Sequence, residues 1–295
     1  TPSPQIARFN EFGRLRFKNN IASFATIDFN NNISIIKNLV FVDSDTYIRK
    51  DAFYNIVQQF VSKDVGAVAG HTTIRNESAN LLTRLQAFKY FMAFRMFKSF
   101  ESYFGVVTCC PGCFSAYRKS YLLEFIDEWI DRSFMGLKLN LGEDRSLTNQ
   151  ILKKYKTIYR SDAVAETIAP TTLRVYVRQQ IRWVKSWFTE SFVATTFMWI
   201  KSAFPAFLFY MTFFLSLMQP IVIITGLIVD FKLAILVQIG LVVVFSILQG
   251  FFCILKQERG LVNYSLPFNV VYYILLVWLI PISAFTFYRN TWGTR

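Results

Sequence analysis

The sequence predicts an α/β domain followed by interfacial amphipathic helices and then by transmembrane helices. Three observations predict it: a strand, helix, strand pattern between Leu39 and Ala69, a basic helical stripe between Thr171 and Trp187, and the near disappearance of charge from Ala203 to Tyr288. A chain of 295 residues has room for one soluble domain of roughly 150 to 200 residues plus a membrane part. The composition break near residue 200 is the expected boundary, with segments 1–168, 169–202, 203–288 and 289–295.

Residues 1–35 are polar, rich in Asn and Arg, and show no clear period. Leu39-Val40-Phe41-Val42 is a short apolar run that stops at Asp43-Ser44-Asp45-Thr46, as a buried strand stops at a ligand-facing edge. Phe53, Ile56, Val57, Phe60 and Val61 recur at helical spacing, and Val65 to Ala69 reads as the next strand. Such a unit carries parallel strands and offers a site where the first strand ends. From Asn80 to about Tyr103 the pattern is helical and aromatic, with Phe88, Phe91, Phe94, Phe97 and Phe100 among Arg84, Lys89, Arg95 and Lys98. A core helix and a helix lying near lipid with snorkelling bases both fit that pattern. Phe114 to Tyr117 is an expected strand, and Arg145 to Lys154 an expected helix opening just behind Glu143 and Asp144, where the helix dipole favours carboxylates.

Arg174, Arg178 and Arg182 fall at i, i+4 and i+8, one stripe of a helix, with Trp183 and Trp187 again four apart. A basic stripe beside tryptophans suits a membrane surface or a diphosphate, and the two uses are compatible. The stretches 204–229 and 233–255 are each long enough to cross a bilayer, which takes roughly 20 residues. A third, 266–288, is interrupted by Pro267 and Pro281. Two crossings from an inside domain return the chain inside at Lys256-Gln257-Glu258-Arg259, whereas a third full crossing would strand Arg289 and Arg295 outside. The third stretch is therefore expected to be broken or interfacial.

A formal charge of +13 implies an anionic partner: acidic lipid, a nucleotide-sugar diphosphate or nucleic acid. Many bases sit beside the hydrophobic region and no familiar nucleic-acid module is present, which favours lipid and nucleotide over nucleic acid. Cys110 and Cys113 have C-x-x-C spacing, but zinc takes four ligands and the one histidine, His71, lies far off in sequence, so reduced thiols are expected. The chain opens at Thr1 without a charged-then-apolar leader, and a missing front end is expected.

The polar motifs supply the parts of a sugar transfer from a nucleotide diphosphate. Asp43 and Asp45 present hard oxygens that can hold Mg²⁺ or Mn²⁺ against a diphosphate, although a bare D-x-D is also common in solvated loops. Glu143 and Asp144 place a second carboxylate site where an acceptor proton could be taken, although an acid at a helix start often has no such role. In Gln179-Gln180-Ile181-Arg182-Trp183, Arg182 offers a planar fork for phosphate oxygens and Trp183 a flat apolar face for a pyranose.

Asp43-Ser44-Asp45-Thr46, Gly142-Glu143-Asp144-Arg145, the Gln-Gln-x-Arg-Trp run and Trp292-Gly293-Thr294-Arg295 together resemble the processive family-2 glycosyltransferases, especially hyaluronan synthases and rhizobial-type chitin-oligosaccharide synthases. Cys110 to Arg118 looks like their acceptor-site segment, and the resemblance covers roughly Asn38 to Arg295. It implies a GT-A-like (Rossmann-like) mixed sheet on the cytosolic face of the plasma membrane, a multi-pass channel, a UDP-sugar donor and a growing polysaccharide acceptor. It also implies that Asp43 and Asp45 hold the metal and diphosphate, and that Asp144 is the general base with Glu143 beside it. Gly112 and Cys113 would border the acceptor, Gln179, Gln180, Arg182 and Trp183 would line substrate, and Trp292 to Arg295 would belong to a gating loop. The family's Gly-Lys-Arg-type segment has only a poor echo in Gly13-Arg14-Leu15-Arg16, so part of the nucleotide pocket is expected to be missing. A cellulose- or mannan-type synthase, a non-processive transferase and a non-catalytic membrane channel or scaffold are the competing readings.

Overall fold

The computed structural model describes residues 15–17, 20–25 and 37–289. The chain divides into two compact units: Thr1–Arg75, Phe94–Arg132 and Asp144–Ile168 form the first, and Asn76–Ala93, Ser133–Glu143 and Ala169–Arg295 the second.

The first unit holds a mixed sheet. Its strands are β1 (Leu15–Phe17), β2 (Asn20–Ala25), β3 (Asn38–Val42), β4 (Tyr47–Ile48), β5 (Val65–Ile74), β6 (Phe114–Arg118) and β9 (Lys156–Thr167), in the order β1-β2-β3-β6-β5-β9-β4. Helix α1 (Ala52–Val57), with a 3₁₀ turn Gln58–Val61, connects β4 to β5. Because β6 runs antiparallel to both β3 and β5, those two strands are parallel to each other but not neighbours. The sequence pattern therefore anticipated their direction and not the strand inserted between them. The sole parallel pairing among the described strands is β5 with β9.

Ala52, Ile56 and Phe60 turn inward onto Val40, Val42, Val68, Phe114 and Ala165. Complete burial of a side chain such as Ile56 contributes about 2 kcal/mol. Val61, expected on the same face, is exposed because the tighter 3₁₀ turn carries it outward. Strand β5 also runs five residues beyond the expected end at Ala69. A Cβ on Gly70 would lie 2.1 Å from Cδ1 of Phe114, so glycine here admits the ring rather than ending the strand. Helices α3 (Ser99–Tyr103), α4 (Lys119–Glu124) and α5 (Ile126–Ile130) complete this unit with most of α6 (Glu143–Lys154).

The aromatic helix is not one regular α-helix. Helix α2 (Leu81–Phe91) opens with a reciprocal cap between Asn80 and Thr83, passes into a π-helical stretch Met92–Lys98, and only then becomes α3. A three-residue aromatic spacing lags a 3.6-residue helix by about 60° per step, so the row cannot keep to one face. Phe88, Phe91 and Phe94 are buried, whereas Phe97 and Phe100 are exposed.

The second unit contains α2, the short hairpin β7 (Ser133–Phe134) and β8 (Leu137–Lys138), and helices α7 (Leu173–Thr195), α8 (Ala203–Val229), α9 (Phe231–Leu255), α10 (Ser265–Ile274) and α11 (Leu279–Thr286). Only Asp230 separates α8 from α9, and its carboxylate accepts the Leu233 N–H at 3.0 Å as an N-cap. Three stretches, Ala203–Val229, Phe231–Leu255 and Arg259–Thr286, are long and apolar enough to cross a membrane. The third is interrupted after Ile274: Leu275 leaves helical geometry and Leu276–Trp278 form a 3₁₀ turn. Pro281 has no N–H for the Val277 carbonyl, which accounts for a tighter turn there.

Candidate functional site

Asp43 follows the last residue of β3, and the Thr46 N–H donates to its carbonyl at 3.0 Å. This turn sets Asp43 at the exposed end of the strand and Asp45, half-buried, within the reversal. The resulting hard oxygens suit Mg²⁺ or Mn²⁺. Among the described residues no group of three or more His, Cys, Asp or Glu side chains could enclose an ion. Two carboxylates fill only part of such an ion's coordination, which takes six or more oxygens.

Asp144 lies in the first turn of α6, which starts at Glu143 rather than behind it. Gly142, immediately before, has φ +79°, and a Cβ there would lie 2.2 Å from Oγ of Ser186 in α7. Both the left-handed backbone and the close approach demand glycine. Oδ1 of Asp144 accepts the Arg145 N–H at 2.8 Å, and the Cys109 thiol donates to Oδ2 at 3.7 Å. Lys153 and Lys154 occupy the last turn of α6, so acids at its start and bases at its end both complement the helix dipole.

Cys109 to Cys113 joins these two acid sites. At one end Cys109 touches Asp144; at the other, a Cβ on Gly112 would lie 3.4 Å from Oδ1 of Asp43. Cys113 turns its thiol to the Thr72 hydroxyl, 3.0 Å away. Burial pushes that thiol up to about 12, with Asp43 and then Asp144 adding to the rise while Thr72 opposes it. Burial likewise pushes the Cys110 thiol up to about 12 and raises that of Cys109. All four cysteines are free. Among the described residues Cys113 meets the Thr72 hydroxyl and Cys109 the Asp144 carboxylate, so the two ends of this segment turn to different partners.

In the second unit, Gln179, Gln180, Arg182 and Trp183 all lie on α7. Gln180 is buried, and its Oε1 receives the Lys89 ammonium while its amide donates to Oε1 of Gln179 at 3.5 Å. The same ammonium lies 5.5 Å from the centre of the Trp183 ring, and the Tyr90 ring packs on Trp183 at 6.2 Å. Lys89 therefore joins the buried amide to the indole, an attraction that combines hydrogen bonding with cation–π contact. Arg182 is half-buried, while Arg174 and Arg178 of the same stripe are exposed. Trp292 and Arg295 lie outside the described residues, as do Gly13 and Arg14.

Residues to which the sequence analysis gave no part in the site complete the surroundings. His71, inside β5, shares a 2.7 Å hydrogen bond with the Tyr159 hydroxyl, and burial, with Arg95 and Arg49 adding, lowers it to about 3. Lys98 donates to the Cys109 carbonyl, and Thr148 takes the Cys110 N–H at 2.9 Å. Thr148 stands four residues after Asp144 on one helical face, a spacing visible in the sequence. Its partner 38 residues away is not.

A family model described as chitin synthase matches residues 19–294. The chain is 37% identical over 153 residues to hyaluronan synthase of Streptococcus pyogenes, covering 52% of this chain and 36% of that protein. It is also 37% identical over 167 residues to an N-acetylglucosaminyltransferase of Rhizobium meliloti (strain 1021), covering 56% and 39%. The matches thus span well under half the length of these curated relatives. Among solved structures, mannosyltransferase PcManGT from Pyrobaculum calidifontis in complex with GDP-Man and Mn²⁺ aligns with TM-score 0.47 at 18% identity, covering 85% of this chain and 61% of that one.

Proposed function

The chain belongs to the chitin synthase family, and on that premise we propose that it serves an inverting membrane glycosyltransferase that adds sugars processively to a β-linked polysaccharide and couples growth to export. The donor is a UDP-sugar, with N-acetylglucosamine as the transferred unit, alone or alternating with glucuronate. The names of the relatives, a hyaluronan synthase and an N-acetylglucosaminyltransferase, support that choice of sugar.

One observation carries the reading: Asp43 and Asp144 border the two ends of the same segment, Cys109 to Cys113. Asp144 takes the proton of the acceptor hydroxyl as that oxygen attacks the anomeric carbon, with Glu143 beside it in the first turn of α6. Gly112 and Cys113 border the acceptor sugar, and Asp43 with Asp45 faces the diphosphate. A bound Mg²⁺ or Mn²⁺ supplies positive charge against the diphosphate oxygens. From the Gln-Gln-x-Arg-Trp run, Arg182 stabilises the leaving diphosphate, Trp183 stacks on the acceptor, and Gln179 and Gln180 hold this helix face. Trp292 and Arg295 belong to a gating segment.

The enzyme is multi-pass in the plasma membrane with its catalytic domain cytosolic, and the interruption after Ile274 supports a third stretch that returns the C-terminus to the cytosolic side. The full-length protein in membranes should release UDP from one of a panel of UDP-sugars only when Mg²⁺ or Mn²⁺ is present. It should also build a polymer that a chitinase or hyaluronidase digests. No UDP release from any donor would favour a non-catalytic scaffold.

A further inference from the structure

We propose that Thr148 is a positioning residue that holds the acceptor-bordering segment Cys109 to Cys113 in register with Asp144. This inference rests on the reading of Asp144 as base. A threonine hydroxyl that donates to the carbonyl four residues back is common in helices and by itself means little. Thr148 does this, donating to the Asp144 carbonyl at 2.7 Å. What sets it apart is the second bond: the same oxygen accepts the N–H of Cys110 at 2.9 Å, from a loop 38 residues away, at a fully buried site. A hydroxyl has both donor and acceptor capacity, and here both are used to join loop to helix.

The peptide between Cys109 and Cys110 is gripped on both sides. Its N–H goes to Thr148, and its carbonyl receives the Lys98 ammonium from the π-helical stretch. The next carbonyl, of Cys110, accepts the Tyr117 hydroxyl at 3.3 Å. Bound in this way, the loop presents the Cys109 thiol to Asp144 and sets the Gly112 backbone beside Asp43. Burial keeps that thiol protonated and so a donor to the carboxylate. Loosening the peptide would shift the acceptor border relative to the base without removing any group that faces the donor. Small displacements of this kind cost transfer far more than they cost donor binding.

The test uses the full-length protein in membranes with the UDP-sugar that the unmodified enzyme turns over and added oligosaccharide acceptors. Thr148→Val keeps the shape and removes both hydrogen bonds. It should raise the acceptor KM about tenfold and raise the fraction of UDP released by hydrolysis rather than transfer. Donor KM should stay within about twofold, and Thr148→Ser should restore the ordinary ratio. An unchanged acceptor KM and unchanged transfer-to-hydrolysis ratio would overturn the proposal. So would equal losses for donor and acceptor, the sign of a merely structural role. Asp144→Asn is measured in parallel. If it still makes polymer, the base assignment fails, whereas an inactive Asp144→Asn beside an unaltered Thr148→Val sinks the positioning role alone.

Discussion

The sheet-bearing unit buries the apolar residues of its central strand β5, whereas helices α8 and α9 of the helical unit carry most of theirs on the outside. In β5 nine of ten residues are buried, while only 11% of the most apolar window of α9 is. A face of that kind is stable only where the surroundings are themselves apolar. The difference teaches that one chain is held together in two ways: by dense packing against water in the first unit, and in the second by helices whose outward faces suit lipid.

Adding one methyl group to a glycine in each unit should separate the two most strongly. Gly70→Ala drives a Cβ to 2.1 Å from the Phe114 ring and should destabilise the sheet unit by about 3 kcal/mol. Gly240→Ala in α9 meets nothing within 4 Å and should be neutral, or stabilising by up to about 1 kcal/mol. Thermal unfolding of the two variants compares them directly, and equal shifts would dissolve the contrast.

Acid should act next, and on the sheet unit. His71 is lowered to about 3 in the fold, against about 6.5 when unfolded. Between those values the unfolded chain binds a proton that the native state refuses. Stability from this group is therefore complete above about pH 6.5 and falls on acidification by about 1.4 kcal/mol per pH unit. Replacing it, as in His71→Gln, should remove that share of the slope in melts between pH 6.5 and 5.

The smallest effect belongs to the helical unit. The Asn269 amide nitrogen, with two hydrogens to share, lies within hydrogen-bond distance of Ser246, Gln249 and the Ser265 carbonyl, at 3.1, 2.8 and 2.9 Å. Asn269→Leu should lower stability in detergent by only about 1 kcal/mol, because polar links between apolar helices are worth little net. A loss several times larger would mean that packing around this network, and not the lipid-facing surface, holds the helices.

Much of this was legible in the sequence because the governing signals are local. The apolar run Leu39–Val42 ending at Asp43, the helix behind Gly142, and the uncharged stretches after residue 202 each follow from a short window of residues. What escaped was decided by partners distant in sequence. Strand β6 enters between β3 and β5, Gly70 extends a strand because Phe114 needs room, and Gln180 meets Lys89 across 91 residues. The π-helical turn at Met92–Lys98 was hidden because aromatic residues three apart look helical whichever helix type carries them.

The most direct test of the proposed chemistry is Asp144→Asn in the full-length protein, scored for polymer yield and UDP affinity in the same membranes. Removing a general base from a transfer in which donor contacts persist should cut polymer synthesis by about 100-fold or more while leaving UDP affinity within a factor of about two. Polymer made at an undiminished rate would contradict Asp144 as the base and with it the assignment of Cys109 to Cys113 as the acceptor border.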